Sequence, residues 1–425
     1  MKIDSIKILN FKSFEDKEVS FSSQFNLVIG DNGKGKTALL DAVAVGLSGL
    51  LENINEDGSD YSIQNDWVRV CNNPLGEEKD ITRKYPVTIE CYGYWKEERF
   101  DWSQVKNGKN KLNNSLPQFF QIDATNNSDG DLPLFVYYST DRLWKKTSSQ
   151  PNTKEDLNWR NRGYKNCFDP DSSLSALQTW LEYEKQEELT AGVKSDRLEV
   201  VESALDRCMK EEQWQQITYL FEREEVCAEF TDGRILPIRM LSDGVRNMLA
   251  MVADIARRTA LLNPHLGINA ALETSGVVLI DEIDLHLHPT WQRRVVEDLH
   301  RTFPNLQFVA TTHSPFIIQS LEAVKEASLI NLDSDERDFT DKSIEEIAEY
   351  VQGVPDVERS QHYQNMKETA KEYYRLIQES KGADPEKIQE TKAKLDELMI
   401  PYYRNPAYAT FLEMKREAAG LGEEE

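Results

Sequence analysis

Phe25-Asn26-Leu27-Val28-Ile29-Gly30-Asp31-Asn32-Gly33-Lys34-Gly35-Lys36-Thr37 joins an apolar run of strand character to a glycine-rich octet of the form G-x-x-x-x-G-K-T. Beyond it Leu39, Leu40, Val43, Ala44, Leu47, Leu50 and Leu51 recur at spacings of three and four, the period of a helix with one buried stripe. Strand, glycine loop and helix in that order are the context a phosphate-binding loop requires. The glycines let backbone N–H groups wrap phosphates, and the helix N-terminus adds partial positive charge. Asn32, Gly33, Gly35, Lys36, Thr37 and Ala38 are therefore expected to line an ATP site. Lys36 would reach the outer phosphates, and the Thr37 hydroxyl would ligate Mg²⁺.

A second stretch, Val277-Val278-Leu279-Ile280-Asp281-Glu282, delivers two adjacent carboxylates at the end of an apolar strand. Alternation along a strand sends them different ways. Asp281 is expected to bind the metal and Glu282 to act as general base on the attacking water. Leu241-Ser242-Asp243-Gly244 precedes a helix striped by Val245, Met248, Leu249, Val252, Ile255 and Ala256, and Ser242 suits its N-cap. His286 and His288 flank Leu287 without a third ligand at metal-site spacing, which favours a loop role. Asp333-Ser334-Asp335, after Leu329-Ile330-Asn331-Leu332, reads as an acidic turn, since the space for a Toprim-type nuclease domain is absent.

Strands are expected at 86–94, 132–138, 277–281 and 306–312; the last two are each preceded or followed by an apolar-striped helix, and strand, helix, strand in this order implies a parallel sheet with crossovers. The Asn-, Lys- and Ser-rich run at 103–131 reads as a surface loop, and 145–170 as a charged, mostly structureless stretch before a helix at 172–187. Asp384-Pro385 and Asn405-Pro406 look like helix starts and Gly382 like a helix stop. The expected division is an N-terminal lobe over 1–144, a helical insertion over 145–212, a C-terminal lobe over 213–338 and a helical region over 339–425. Five scattered cysteines form no C-x-x-C pair and read as reduced packing residues. No apolar run approaches the roughly 20 residues of a spanning helix, and no signal-peptide pattern is present, so no membrane and a cytoplasmic setting are expected. A net charge of −24 repels nucleic acid at long range, so any DNA contact would need a local basic patch.

Together these motifs resemble the RecF/SMC-type ABC ATPases of the AAA class, and the fold expected is an α/β P-loop ATPase head of mixed, largely parallel sheet with a helical insertion and a C-terminal helical appendix. The opening Ile6-Lys7-Ile8-Leu9-Asn10-Phe11-Lys12-Ser13-Phe14 is in that style. By the same resemblance Lys12 lies near the nucleotide, Ser242 and Gly244 bind the γ-phosphate held by the opposite subunit, Asp284 is the dimer-contact aspartate and His313 the γ-phosphate-sensing switch. Asp243 and Val245 depart from the commonest signature. Only about 205 residues separate Thr37 from Ser242, too few for a coiled-coil arm.

Leu132-Pro133-Leu134-Phe135-Val136-Tyr137-Tyr138-Ser139-Thr140-Asp141-Arg142-Leu143-Trp144 and Gly163-Tyr164-Lys165-Asn166-Cys167 resemble stretches of the bacterial ATPases once labelled predicted virulence ATP-binding proteins, and the ending, Ala383-Asp384-Pro385 through Pro401-Tyr402-Tyr403 and Asn405-Pro406-Ala407-Tyr408, resembles the tail of their Septu-type antiviral members, the PtuA family. That resemblance implies an ATP- and Mg²⁺-dependent head-to-head homodimer, or a higher assembly of such dimers, that controls a small HNH nuclease of the PtuB kind. The rival readings are a RecF-like repair factor acting directly on DNA, a non-enzymatic nucleotide-binding scaffold and, more distantly, a transporter ATPase.

Overall fold

Strands rich in apolar residues must be covered on both faces, and in this computed structural model four of the five strands of the chain's central sheet are buried at every position. The structure describes residues 1–51, 61–72, 81–108, 112–115, 130–140, 159–168, 174–193, 195–210, 213–223, 225–334 and 341–353, with 365, 368–373, 375 and 385–399. In chain order, β1 (Lys2–Phe11) and β2 (Phe14–Ser20) make a hairpin, and β3 (Phe25–Ile29) leads into the glycine loop. A small antiparallel pair follows, β4 (Val70–Asn72) and β5 (Ile81–Arg83). Next come β6 (Val87–Trp95), β7 (Glu98–Lys106), β8 (Leu112–Ser115) and β9 (Leu134–Tyr138). The remaining strands are β10 (Trp214–Leu220), β11 (Glu225–Phe230), β12 (Ile235–Pro237), β13 (Gly276–Ile280), β14 (Leu306–Thr311) and β15 (Ala327–Asn331).

The central sheet runs β15-β3-β14-β13-β9 with every neighbouring pair parallel. Parallel order puts all five carboxyl ends on one edge, where ligands of open α/β sheets bind. The loop after β3 leads into Lys36 at the start of its helix, and the loops after β13, β14 and β15 carry Asp281, His313 and Asp333 respectively. A second sheet, β2-β1-β6-β7-β8, is antiparallel, and β6 alternates between buried and less buried residues as a one-faced strand should. A third, β10-β11-β12, is a short antiparallel meander.

The helix Lys36–Leu51 lies between the two large sheets, touching β13 and β14 on one side and β1, β6 and β7 on the other. It is therefore buried around its whole circumference, Thr37 alone excepted, rather than along the single stripe its periodicity suggested. The helices Leu174–Ala191 and Asp196–Cys208 pack on the helix Asp243–Leu262.

Two stretches expected to be loop contain structure. Part of 103–131 belongs to β7 and β8, whose polar Asn and Ser residues are ordered by strand pairing rather than by apolar pattern. Within 145–170, Trp159–Tyr164 forms a 3₁₀ turn, and Tyr164, Cys167 and Phe168 are buried. The chain divides into two units, 1–352 and 353–425, so the expected lobes 1–144, 145–212 and 213–338 all fall within the first. In the second, the helix Pro385–Met399 begins on its proline; Gly382, Asp384, Asn405 and Pro406 lie outside the described residues. Among the described residues no helix is long and apolar enough to cross a membrane.

Candidate nucleotide-binding site

Gly35 shows why the loop is written in glycine. Its φ is +99°, and a Cβ there would meet Ser13 Oγ at 2.5 Å and the Phe14 ring at 2.8 Å. The turn between β1 and β2 thus presses against the loop. Lys36, at the first position of its helix, folds its Nζ back onto the carbonyls of Gly30 (2.6 Å) and Asp31 (3.0 Å). Burial lowers its pKa, opposed in order by the carboxylates of Asp333, Asp281, Glu282 and Asp31.

Across the edge, Thr37 Oγ1 donates to Asp281 Oδ2 at 2.9 Å. A hydroxyl and one carboxylate in mutual contact, leaving phosphates and water to complete the shell, are the donor set an octahedral Mg²⁺ takes at phosphate sites. These two residues fit the ion. Thr311 ties the Asp281 carboxylate to the Glu282 backbone: its Oγ1 donates to Asp281 Oδ1 at 2.6 Å and accepts the Glu282 N–H at 2.7 Å. The Asp281 N–H donates to the Tyr138 carbonyl at 2.9 Å, so β9 also fixes this turn.

Strand β13 ends at Ile280, before the two carboxylates. Pleat alternation therefore does not separate them; Glu282 turns away through a left-handed backbone, φ +49°. Thr311→Val removes the hydroxyl that links the pair and is expected to lower ATP turnover about 10- to 100-fold. Phosphate release checks this, and a native rate would deny Thr311 the role.

Asp284 and His313 are brought together, but within one chain. Asp284 Oδ1 accepts from Thr312 Oγ1 at 2.7 Å and the His313 N–H at 3.4 Å, and the His313 carbonyl accepts from Gln352 Nε2 at 2.9 Å. The His313 residue is exposed at the edge. Lys12, expected beside nucleotide, is ion-paired with the buried Asp41 of the P-loop helix and lies 4.4 Å from the centroid of the Trp67 ring. Tyr61 OH donates to the other Asp41 oxygen at 2.7 Å. Nothing in the local sequence marks this cluster, because Asp41, Tyr61 and Trp67 meet only through tertiary packing.

The turn Leu241–Gly244 lies apart, and among the described residues no hydrogen bond joins it to the P-loop. Ser242 has the extended backbone of an N-cap, but its side chain makes no capping bond, contrary to expectation. Ser242 and Asp243 are exposed. Asp243, which would repel an incoming phosphate, is ion-paired with Arg246 three residues on. Gly244 is buried: a Cβ would lie 2.4 Å from the His286 carbonyl oxygen. The glycine thus serves close packing on the loop that follows Asp281. Beside it runs a groove of about 630 Å³ lined by residues that include Ser242, Val245, His286, His288 and Trp291. His288 takes the loop role its spacing suggested, accepting the Thr290 N–H at the start of the helix Pro289–Gln292.

The helix behind this turn is anchored by a buried ionic cluster. Asp254 Oδ2 accepts from Tyr138 OH and from Arg258 Nε, each at 2.8 Å, and Oδ1 accepts from Arg257 Nη2 at 2.6 Å. Burial alone would raise the Asp254 pKa, but Arg258 and Arg257 hold it below the usual carboxylate range. Arg258 Nη1 also donates to the carbonyls of Gly163 (2.8 Å) and Lys165 (3.0 Å). Tyr164 OH closes the unit on the Pro133 carbonyl at 2.6 Å. Residues 163–167 are thus packed against β9, the strand next to Asp281.

A parallel sheet whose carboxyl edge gathers a P-loop, a paired Thr–Asp and a strand-end histidine defines a P-loop nucleotide-binding domain. Residues 5–218, half of the chain, match the AAA domain family, and the chain belongs to that family. A second AAA domain model, whose description adds the AbiEii toxin of a type IV TA system, matches 184–319. The chain is 25% identical over 391 residues to "Retron Vc95 probable ATPase" of Vibrio cholerae serotype O1 biovar El Tor, covering 78% of this chain and 74% of that protein. It is also 25% identical over 354 residues to "Septu protein PtuA" of Bacillus mycoides, covering 80% of this chain but 42% of that longer protein. Among solved structures, the SMC head domain from Thermotoga maritima superposes with a TM-score of 0.43 and 13% identity, over 77% of this chain and 94% of that one. The resemblance to Septu and retron ATPases is therefore a property of most of the chain.

Proposed function

We propose that this chain binds and slowly hydrolyses ATP between two copies of itself, and that the closed pair regulates a partner nuclease in bacterial antiviral defence. The observation that carries the reading is the split of the site. Thr37, Asp281, Thr311 and Glu282 form one hydrogen-bonded group at the sheet edge, while the exposed Ser242 turn is left facing outward. Met240, 65% exposed beside that turn, adds apolar surface to the face a second copy would cover.

In this reading the P-loop amides and Lys36 hold the triphosphate, with Lys36 released from the Gly30 and Asp31 carbonyls it now contacts. Thr37 and Asp281 would hold Mg²⁺, which when bound neutralises charge on the outer phosphates. Glu282 takes the proton of the attacking water, and Ser242 with the first-turn amides of the opposite copy closes over the γ-phosphate. ATP can drive closure because those contacts exist only in the closed pair. Lys12 neighbours this site through Asp41, and His313 reports the γ-phosphate from the sheet edge.

Since the relatives include Septu and retron ATPases, an HNH nuclease encoded beside this chain is the partner class proposed. The net charge of −24 disfavours the RecF-like alternative of direct DNA binding. Sedimentation with ATP tests the pairing: the 49.0 kDa chain carrying Glu282→Gln is expected to double in mass, and Ser242→Arg to abolish the doubling. A mass indifferent to ATP would refute the pairing.

A further inference from the structure

Asp333-Ser334-Asp335 reads from the sequence as an acidic turn after β15, and in the structure Asp333 touches the P-loop. The β15–β3 ladder continues one residue past the end of β15 through the Leu332 N–H, which donates to the Ile29 carbonyl at 3.0 Å. Asn331 then shapes the turn: its Oδ1 accepts the N–H groups of Asp333 (3.0 Å) and Ser334 (3.4 Å), while its Nδ2 donates to the Val351 carbonyl at 3.1 Å. The Asp333 carboxylate is thereby laid against the outer half of the P-loop. Oδ2 accepts the Asp31 N–H at 2.5 Å, and Oδ1 is 3.2 Å from Lys34 Nζ.

Asp31 and Lys34 are the two ends of one turn, closed by the Lys34 N–H on the Asp31 carbonyl at 3.3 Å. The turn has little support of its own. It carries Gly33 at φ +84°, and a Cβ placed there would meet nothing within 4 Å.

We propose that Asp333 is a positioning residue for nucleotide binding: it clamps both ends of the Asp31–Lys34 turn from outside and holds the loop amides in the shape that receives a triphosphate. The inference rests on the P-loop being the nucleotide site. Its physical basis is pre-organisation, since a glycine-rich turn ordered beforehand loses less entropy on binding. The ion pair is half-exposed, with Lys34 53% and Asp333 28% accessible, and contributes little by itself. Most of the effect comes from the charge-assisted bond to the Asp31 N–H. The charge of Asp333 also acts on Lys36, where it is the foremost of the carboxylates opposing the effect of burial.

Titration of the full chain with a fluorescent ADP tests the clamp. Asp333→Ala is expected to raise Kd about tenfold, the loss of one charge-assisted hydrogen bond, without moving the thermal midpoint of the nucleotide-free protein. Asp333→Asn keeps an oxygen for the Asp31 N–H and should recover part of the affinity. Lys34→Met should weaken binding less, and add little on top of Asp333→Ala because both act through one turn. A native or tighter Kd in Asp333→Ala overturns the proposal. If that variant does not fold, native affinity in both Asp333→Asn and Lys34→Met overturns it instead. Lys36→Ala separates the two levels: binding lost there but untouched in Asp333→Ala faults the clamp alone, whereas a native chain that binds no nucleotide faults the site itself.

Discussion

Glu282→Gln is expected to lower ATP turnover about 10²- to 10⁴-fold, the range general-base catalysis supplies, while ATP stays bound. Glutamine matches glutamate in size but cannot take a proton at neutral pH. The backbone of residue 282 is held independently of its side chain, by Thr311 Oγ1 on its N–H and by the Ile283 N–H on the Thr311 carbonyl at 3.0 Å. The P-loop, Thr37 and Asp281 are untouched by the change, so binding should survive and the closed pair should accumulate. Single-turnover phosphate release, with retained nucleotide measured after gel filtration, reads both effects. Hydrolysis at the native rate would place the base elsewhere.

Asp254→Ala has the largest expected effect on stability, about 3–5 kcal/mol, because removing one partner leaves an uncompensated buried charge. Arg258 is 3% exposed and has no solvent to turn to, and Tyr138 OH loses its acceptor as well. The sign with pH follows from the depressed Asp254 pKa: its contribution is complete above the ordinary carboxylate value and disappears only as pH falls through the lower folded value. The loss should therefore be constant across the neutral range and shrink only in strong acid. Urea unfolding of the two chains measures it. A difference below about 1 kcal/mol, the usual size of a surface pair, would mean the cluster is not buried in solution. Tyr138 neighbours Asp281 through its backbone, so partial loss of ATP turnover should accompany the loss of stability.

What could be read from the sequence was contiguous. The octet Gly30–Thr37 and the pair Asp281-Glu282 each announce themselves within a few residues, and strand–helix alternation was enough for the parallel sheet. What could not be read depends on register. Thr311 reaches the Asp281 carboxylate and the Glu282 N–H because Ile280 pairs with Ala310 across β13 and β14, a fact absent from either segment alone. Asp254 and Arg258 stand at an ordinary i, i+4 spacing, and only the packing of β9 and residues 163–165 over them reveals that the pair is buried. Lys12 was placed near nucleotide by likeness, and its partner Asp41 sits on an otherwise apolar helix as an unexplained acid until the fold supplies Tyr61 and Trp67. Asp333 read only as part of an acidic turn because its contact, the Asp31 N–H, lies some 300 residues earlier in the chain. The strands β7 and β8 were missed for the opposite reason, being ordered by pairing where composition suggested a loop.

Subunit mixing tests the shared pocket most directly. Lys36→Ala removes the phosphate-binding side of a protomer, and Ser242→Arg blocks the face it offers its neighbour, so each variant alone should be inactive. In an equimolar mixture of freely exchanging chains each mixed pair holds one intact site, so turnover should reappear, at about a quarter of the native rate where chains pair at random and up to about half where neither variant pairs with itself. A mixture no more active than its separate components would show that each copy completes its own pocket.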